Sequence, residues 1–238
     1  MTVAPILTRT TTAPPVAGVP VEPLPAAVRL ALTRVTPDPY ALLEAALAWH
    51  QLRPSGTGRG GAQGRPVRHP GTQRYLLLAR DCPPDVADRL VRLLGRLAWT
   101  VTVPGDGTGD PATAGHAAGG PHSVLVPERS YHLVLRGLTT AWRHARRGHP
   151  AGTPTGRPDP GGAAALWRMG LLLAGVRGTG DRARLRLSLR ATPEAAAGLL
   201  ATAAWTLGAA ATIEDARGGP AVLVGRAEDV RRLIVAAS

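Results

Sequence analysis

The residues best suited to chemistry in this sequence are arginines. Arg184, Arg186 and Arg190 alternate with Leu185, Leu187 and Leu189 in RLRLSLR. This period of two predicts a strand with its leucines on one face and Arg184, Arg186, Ser188 and Arg190 on the other. Side chains on one face of a strand stand about 7 Å apart, close to the roughly 6 to 7 Å between successive phosphates of one DNA strand. Arg177 lies just upstream, and Arg74 and Arg80 end the first-half segment RYLLLAR. An acid intrudes on the outward face, because Thr212 and Glu214 alternate with Ile213. The alternative is a solvated strand. All 28 basic residues are Arg, and Lys, Phe and Asn are absent, as a very GC-rich coding sequence imposes.

Other chemistries find little support. Cys82 is the only cysteine, which excludes an internal disulfide and a cysteine-based zinc ribbon and fits a reducing compartment, the cytosol by default. His116 and His122 have no Cys or carboxylate at ligand spacing, so no metal is expected. Gly56 to Gly61 match G-x-G-x-x-G literally, but no strand precedes them and no helix follows, so the segment reads as a flexible loop. Without lysine there is no Walker A loop, and G-x-S-x-G and H-E-x-x-H are missing. The basic run Arg143 to His149 after Trp142 reads as a solvated helix end. We expect neither an enzyme nor a cofactor.

The elements that would position these arginines come from patterning. With 238 residues the chain can form one large domain or two of about 100 residues, and its net charge of +12 points to an anionic partner. The N-terminal residues 1–25 are rich in proline, lack a signal-peptide core and read as a disordered tail. The uncharged window Ala195 to Ile213 is mostly Ala, Gly and Thr between acidic flanks, and reads as a buried helix running into a strand rather than a membrane span.

The chain says one thing twice. Arg74 to Arg80 lead through Pro83, Pro84 and Asp85 into a helix with Val86, Leu90, Leu93, Leu94 and Leu97 at helical spacing. Arg184 to Arg190 lead through Thr192, Pro193 and Glu194 into an Ala/Leu helix. In each, proline in the first turn loses no hydrogen bond and the acid suits the helix dipole. Two strands and a closing helix follow in each half: Thr100 to Val103, His122 to Val126 and Glu128 to Gly137, then Ala210 to Asp215, Pro220 to Val224 and Arg226 to Ala236. A helix that is apolar almost all round precedes each unit, Tyr40 to Leu52 and Ala163 to Val176, which implies burial on more than one side. The Gly/Pro-rich stretches 53–72, 105–121 and 148–162 read as linkers. The expected division is a tail (1–25), a first unit (26–148), a linker (149–162) and a second unit (163–238).

The second half resembles the LAGLIDADG domain of the WhiA-type sporulation regulators. GLLLAGVRGTG, Gly170 to Gly180, is similar to that family's first helix, with its Ala-Gly pair at Ala174 and Gly175. RLSLRATPEAAAGLL, ATIEDA and PAVLVGRAEDVRRLI resemble the elements that follow. In the first half, Ala26 to Val35 resembles the opening helix, and Trp49 stands where Gly175 stands in the other half. The resemblance implies an α+β fold of two tandem units related by a pseudo-two-fold, a saddle of strands facing outward, and Ala174 and Gly175 packed near Ala45 and Ala48. In LAGLIDADG nucleases each such helix delivers an acid three residues after the glycine. Here Gly178 and Leu52 take those places and cannot hold a metal, and Asp181 lies beyond in a turn. The resemblance thus implies a non-catalytic DNA-binding or transcription-associated regulator, with a nucleoid location. In that family a helix-turn-helix follows the second unit, whereas this sequence ends at Ser238. The alternative is a protein-interaction module that binds a partner, such as part of the transcription machinery, through the sheet or the Ala-rich helices.

Overall fold

The two halves build the same series of elements. In the first, α2 (Ala41–Leu52) leads to β2 (Val67–Arg68), β3 (Arg74–Cys82), α3 (Pro84–Leu94), β4 (Val101–Pro104), β5 (His122–Pro127) and α4 (Glu128–Arg146). In the second, α5 (Pro160–Leu173) leads to β6 (Gly175–Arg177), β7 (Arg184–Ser188), α6 (Pro193–Thr206), β8 (Thr212–Ala216), β9 (Gly219–Val224) and α7 (Ala227–Ala237). Ahead of both lie β1 (Val21–Pro23) and α1 (Ala26–Arg34). This computed structural model describes residues 21–52, 67–68, 74–104, 120–146, 159–177, 184–188, 193–216 and 219–238. Its sheets repeat one order, β2-β3-β5-β4 and β6-β7-β9-β8, with antiparallel neighbours throughout. The α+β repeat expected from the punctuation is therefore the fold.

The helices that read as apolar all round are central. α2 packs on α3, α4 and α5, and α5 packs on α2, α6 and α7. Ala45, Ala46, Leu47 and Ala48 are fully buried, as are Trp167, Met169 and Leu171. Burial on several sides removes any solvent-facing stripe, which is why these segments lack the usual amphipathic pattern. Trp167 donates its indole N–H to the Leu200 carbonyl of α6 at 3.0 Å, satisfying a polar group that would otherwise be costly to bury.

One charged cluster sits inside this core. Glu44 of α2 is fully buried and accepts two hydrogen bonds from Arg89 of α3, at 2.7 and 2.9 Å, and one from Arg168 of α5 at 3.0 Å. Arg168 also reaches Asp38 at 3.2 Å and the Ala237 carbonyl of α7 at 2.7 Å, while Arg89 bonds the Val35 carbonyl after α1. The cluster joins both halves, Glu44 and Asp38 of the first half both bonding Arg168 of the second. Sequence reading gave these residues no role, because they lie far apart in the chain and nothing local announces that they meet.

Several boundaries need correction. Val21–Pro23, assigned to the tail, form a strand paired with β6, so this segment joins the sheet of the second half. Pro23 is tolerated there because β1 is the outermost strand. Val67–Arg68, assigned to a linker, pair with β3. Pro160 to Gly162, also assigned to a linker, open α5, with Asp159 capping the Gly161 N–H. α5 ends at Leu173, so the Ala174–Gly175 pair lies outside the helix that was expected to run to Val176. Ala174 is already extended (φ −80°, ψ 151°) and Gly175 opens β6. α4 continues past Gly137 to Arg146. Gly137 is no stop signal, and a Cβ there would make only ordinary contacts, 3.5 Å from Leu97 and 3.6 Å from Leu42.

Among the described residues no helix is long and apolar enough to cross a membrane. The expected span of Ala195 to Ile213 is α6 followed by the start of β8.

Candidate nucleic-acid interface

The arginines singled out in the second half lie on neighbouring strands. β6 and β7 pair Arg177 with Arg184, Val176 with Leu185 and Gly175 with Arg186. β7 and β9 pair Leu185 with Val224, Arg186 with Leu223, Leu187 with Val222 and Ser188 with Ala221. Val222 and Val224 belong to the core cluster, whereas Leu223 is half-buried and Ala221, though only 1% exposed, is not part of that cluster. Paired residues of an antiparallel sheet share a face, so the register puts Leu185 and Leu187 on the core face and Arg177, Arg184, Arg186 and Ser188 on the other. Arg190 lies outside the described residues.

This outward face is not purely basic. β8 pairs Thr212 with Leu223 and Glu214 with Ala221, so the row through Ser188 and Ala221 ends at Glu214. The arginines gather at the opposite end, on β6 and β7. Like charges placed directly across an antiparallel pair destabilise it unless something anionic lies between them. The register places Arg177 directly across from Arg184.

The first-half strand behaves differently. β3 carries two irregularities against β5, between Leu77 and Ala79 and between Ala79 and Cys82. Extra residues reset the alternation. Leu78 and Ala79 are consecutive yet both buried, and Asp81 adopts a left-handed φ of 55°. By register Arg80 falls on the outward face, whereas Arg74 has the parity of core residues Val124 and Val126 at the exposed start of the strand. The two were expected on one face, and the bulges separate them.

Of the two positions where the resemblance implies acids, Leu52 and Gly178, only Leu52 lies among the described residues, at the end of α2. Gly178 and Asp181 lie outside the described residues. Among the described residues no group of three or more His, Cys, Asp or Glu side chains is placed to hold a metal ion. Cys82 is buried, and burial first, then the charge of Asp81, pushes its thiol up to about 12. Such a thiol is no nucleophile near neutral pH. Burial likewise raises the Tyr131 hydroxyl above its ordinary value.

The helix-packing residues divide. Ala45 and Ala48 are fully buried in α2, and Ala174 is buried just past α5. A close helix approach occurs at the opposite end of α5, where a Cβ on Gly161 would sit 2.7 Å from the Tyr40 ring and one on Gly162 would lie 3.7 Å from Leu43. Sequence reading missed this Gly-Gly pair, because it was counted as linker.

Comparison with solved structures gives the fold its name. The N-terminal LAGLIDADG domain of DUF199/WhiA aligns with a TM-score of 0.53 at 10% identity, covering 94% of each chain. Full-length DUF199/WhiA from Thermatoga maritima aligns with a TM-score of 0.53 at 9% identity over 91% of this chain, which spans 62% of that protein. Mesophilic variants from the homing endonuclease I-DmoI align with a TM-score of 0.44 at 15% identity, over 84% of this chain and 97% of theirs. No protein-family model and no curated protein matches the sequence. The chain has a WhiA-like LAGLIDADG fold.

Proposed function

We propose that the protein is a non-catalytic DNA-binding regulator built on inactivated LAGLIDADG units, holding the phosphate backbone against the outward face of its second sheet. The observation that carries this reading is the register that sets Arg177 opposite Arg184 with Arg186 two residues along. A net charge of +12 adds long-range attraction to a polyanion. The WhiA proteins that share the fold supply the regulatory part of the reading. Leu52 and Gly178, at the positions where the resemblance implies acids, supply the non-catalytic part, since neither can ligate a metal. Phosphate contacts fix position without reading sequence, so affinity should depend little on base sequence.

A salt titration with duplex DNA tests it. Each arginine that neutralises a phosphate contributes about 0.9 to the log-log salt slope, so replacing Arg177, Arg184 and Arg186 by Gln should lower the slope by about 2.7. Magnesium added to the wild-type complex should leave the duplex intact. An unchanged slope with an unchanged melting temperature removes the sheet as the DNA surface, and cleavage removes the non-catalytic reading.

A further inference from the structure

A cleft of about 1120 Å³ opens between α4 and α6, on the helical side of the molecule. Leu42 and Leu43, near the start of α2, and Leu166, in the middle of α5, contribute to its lining. Leu133 of α4 also lines it and is 54% exposed. On α6, Gly198 lines the cleft at a point where a Cβ would meet nothing within 4 Å.

The two walls differ in charge. α6 carries no charged residue from Ala195 to Thr206, although Thr202 and Trp205 are exposed, Trp205 by 51%. The hydroxyls of Thr202 and Thr206 donate to carbonyls of the preceding turn, at 2.9 and 3.0 Å, so their protons are already used within the helix. Solvated helices display charges, and this uncharged wall of Gly198, Leu199, Thr202, Ala203 and Thr206, with the exposed Trp205 next to it outside the cleft lining, has the composition of an interface. The α4 wall contributes Arg136, His144 and Arg146, with Arg129 and Arg143 exposed on the same helix. Asp159 is the only acid among the lining residues, and it is engaged in capping α5.

We propose that this cleft docks an amphipathic helix of a protein partner, with apolar residues at i, i+3, i+4 and i+7 entering the groove and carboxylates along the flank that meets α4. Charge complementarity selects this occupant. The groove offers an apolar floor, one basic rim and one neutral rim, the inverse of such a helix. A second copy of this chain would bring a charge of +12 toward a basic rim, and duplex DNA would leave the leucines uncovered. The site is separate from the outward face of the second sheet, so either surface can fail without the other.

The test is a selection of displayed helical peptides against the full chain, from a library that varies the four apolar positions and offers either Glu or Lys along the flank. Enriched peptides should carry the apolar spacing and Glu flanks. Gly198→Trp, which places a ring in the open cleft, should weaken them at least tenfold. The double variant Arg136→Glu/Arg146→Glu, at two exposed positions, should reverse the preference toward Lys flanks, while the Gln variants of the sheet arginines bind the peptide as wild type does. The proposal is overturned by no enrichment, by Lys-flanked winners on the wild type, or by binding indifferent to both cleft variants in proteins that melt normally. It is equally overturned if duplex DNA displaces the peptide and is itself lost in Gly198→Trp, which would make the cleft a nucleic-acid site.

Discussion

Helices α3 and α6 occupy the same place in the two repeats and meet burial in opposite ways. α3 is strongly amphipathic, with Val86, Leu90, Leu93 and Leu94 buried, Asp88 and Arg92 exposed, and one buried charge, Arg89, paired with Glu44. α6 buries Ala196, Ala197, Leu200, Ala201 and Ala204, and carries no charge from Ala196 to Thr206, its described side chains. Both helices cover a four-strand unit of the same order, so the backbone does not require either solution. The first half uses its helix to lock the core across the repeats, and the second leaves its helix neutral beside an open cleft. A repeated fold constrains which face is apolar, while the other face is free to diverge.

Removing the lock should give the largest effect. Glu44→Ala leaves the buried Arg89 guanidinium without a carboxylate and Arg168 with only Asp38, at 3.2 Å, a loss of about 3 to 5 kcal/mol for breaking a buried pair. Urea unfolding should show the midpoint falling accordingly. Arg89→Ala combined with Glu44→Ala should cost much less than the sum of the two, because both changes remove one interaction. Additive effects, or a loss below about 1 kcal/mol, would break the contrast between a locking helix and a neutral one.

Cys82 sharpens the comparison at the level of the strands. It ends β3 beyond two bulges, fully buried, with its thiol pushed up to about 12 from an ordinary 9.0. The folded state therefore holds a proton that the unfolded state releases above pH 9. Stability from this group is complete below pH 9 and falls between 9 and 12, by at most about 1.4 kcal/mol per pH unit. Urea midpoints across that range should decline more steeply for wild type than for Cys82→Ala. A thiol reagent at pH 8 should label Cys82 only as fast as the first half opens. Rapid labelling of folded protein would show that the bulged strand is loose rather than locked.

How much of this was visible in the sequence follows from where each signal resides. The order of elements was legible, because Pro83-Pro84-Asp85 and Thr192-Pro193-Glu194 are local helix-start chemistry. The burial of α2 and α5 was legible from their lack of a polar face. β1 and β2 were not, since two or three residues have no periodicity and become strands only beside β6 and β3. The bulges in β3 are set by pairing with β5, so alternation alone misplaced Arg74 relative to Arg80. Arg89, Glu44 and Arg168 lie far apart in sequence, and nothing local announces that they meet. The outward arginines of the second sheet were legible as a pattern, but the opposition of Arg177 and Arg184 required the register.

The smallest expected effect comes from the same kind of pair, placed at the surface of the second half. Arg232 of α7 bonds Glu228 one turn earlier at 3.0 Å and also reaches the Gly208 carbonyl that ends the segment after α6. Arg232 is 46% exposed and Glu228 76% exposed, whereas the side chains of Arg89 and Glu44 are 0% exposed. Water already solvates the exposed pair, and ordering two long side chains offsets most of their attraction, so Glu228→Gln should cost no more than about 0.5 kcal/mol. Salt separates the two cases further. Screening acts over about 3 Å at 1 M ionic strength and should abolish the surface contribution, while the buried cluster, shielded from ions, should keep its own. Measured side by side at 0.1 M and 1 M salt, Glu228→Gln should converge on wild type and Glu44→Ala should remain displaced. If instead both deficits shrink in proportion, Glu44 is reached by solvent ions, and the buried lock that distinguishes α3 from α6 is not there.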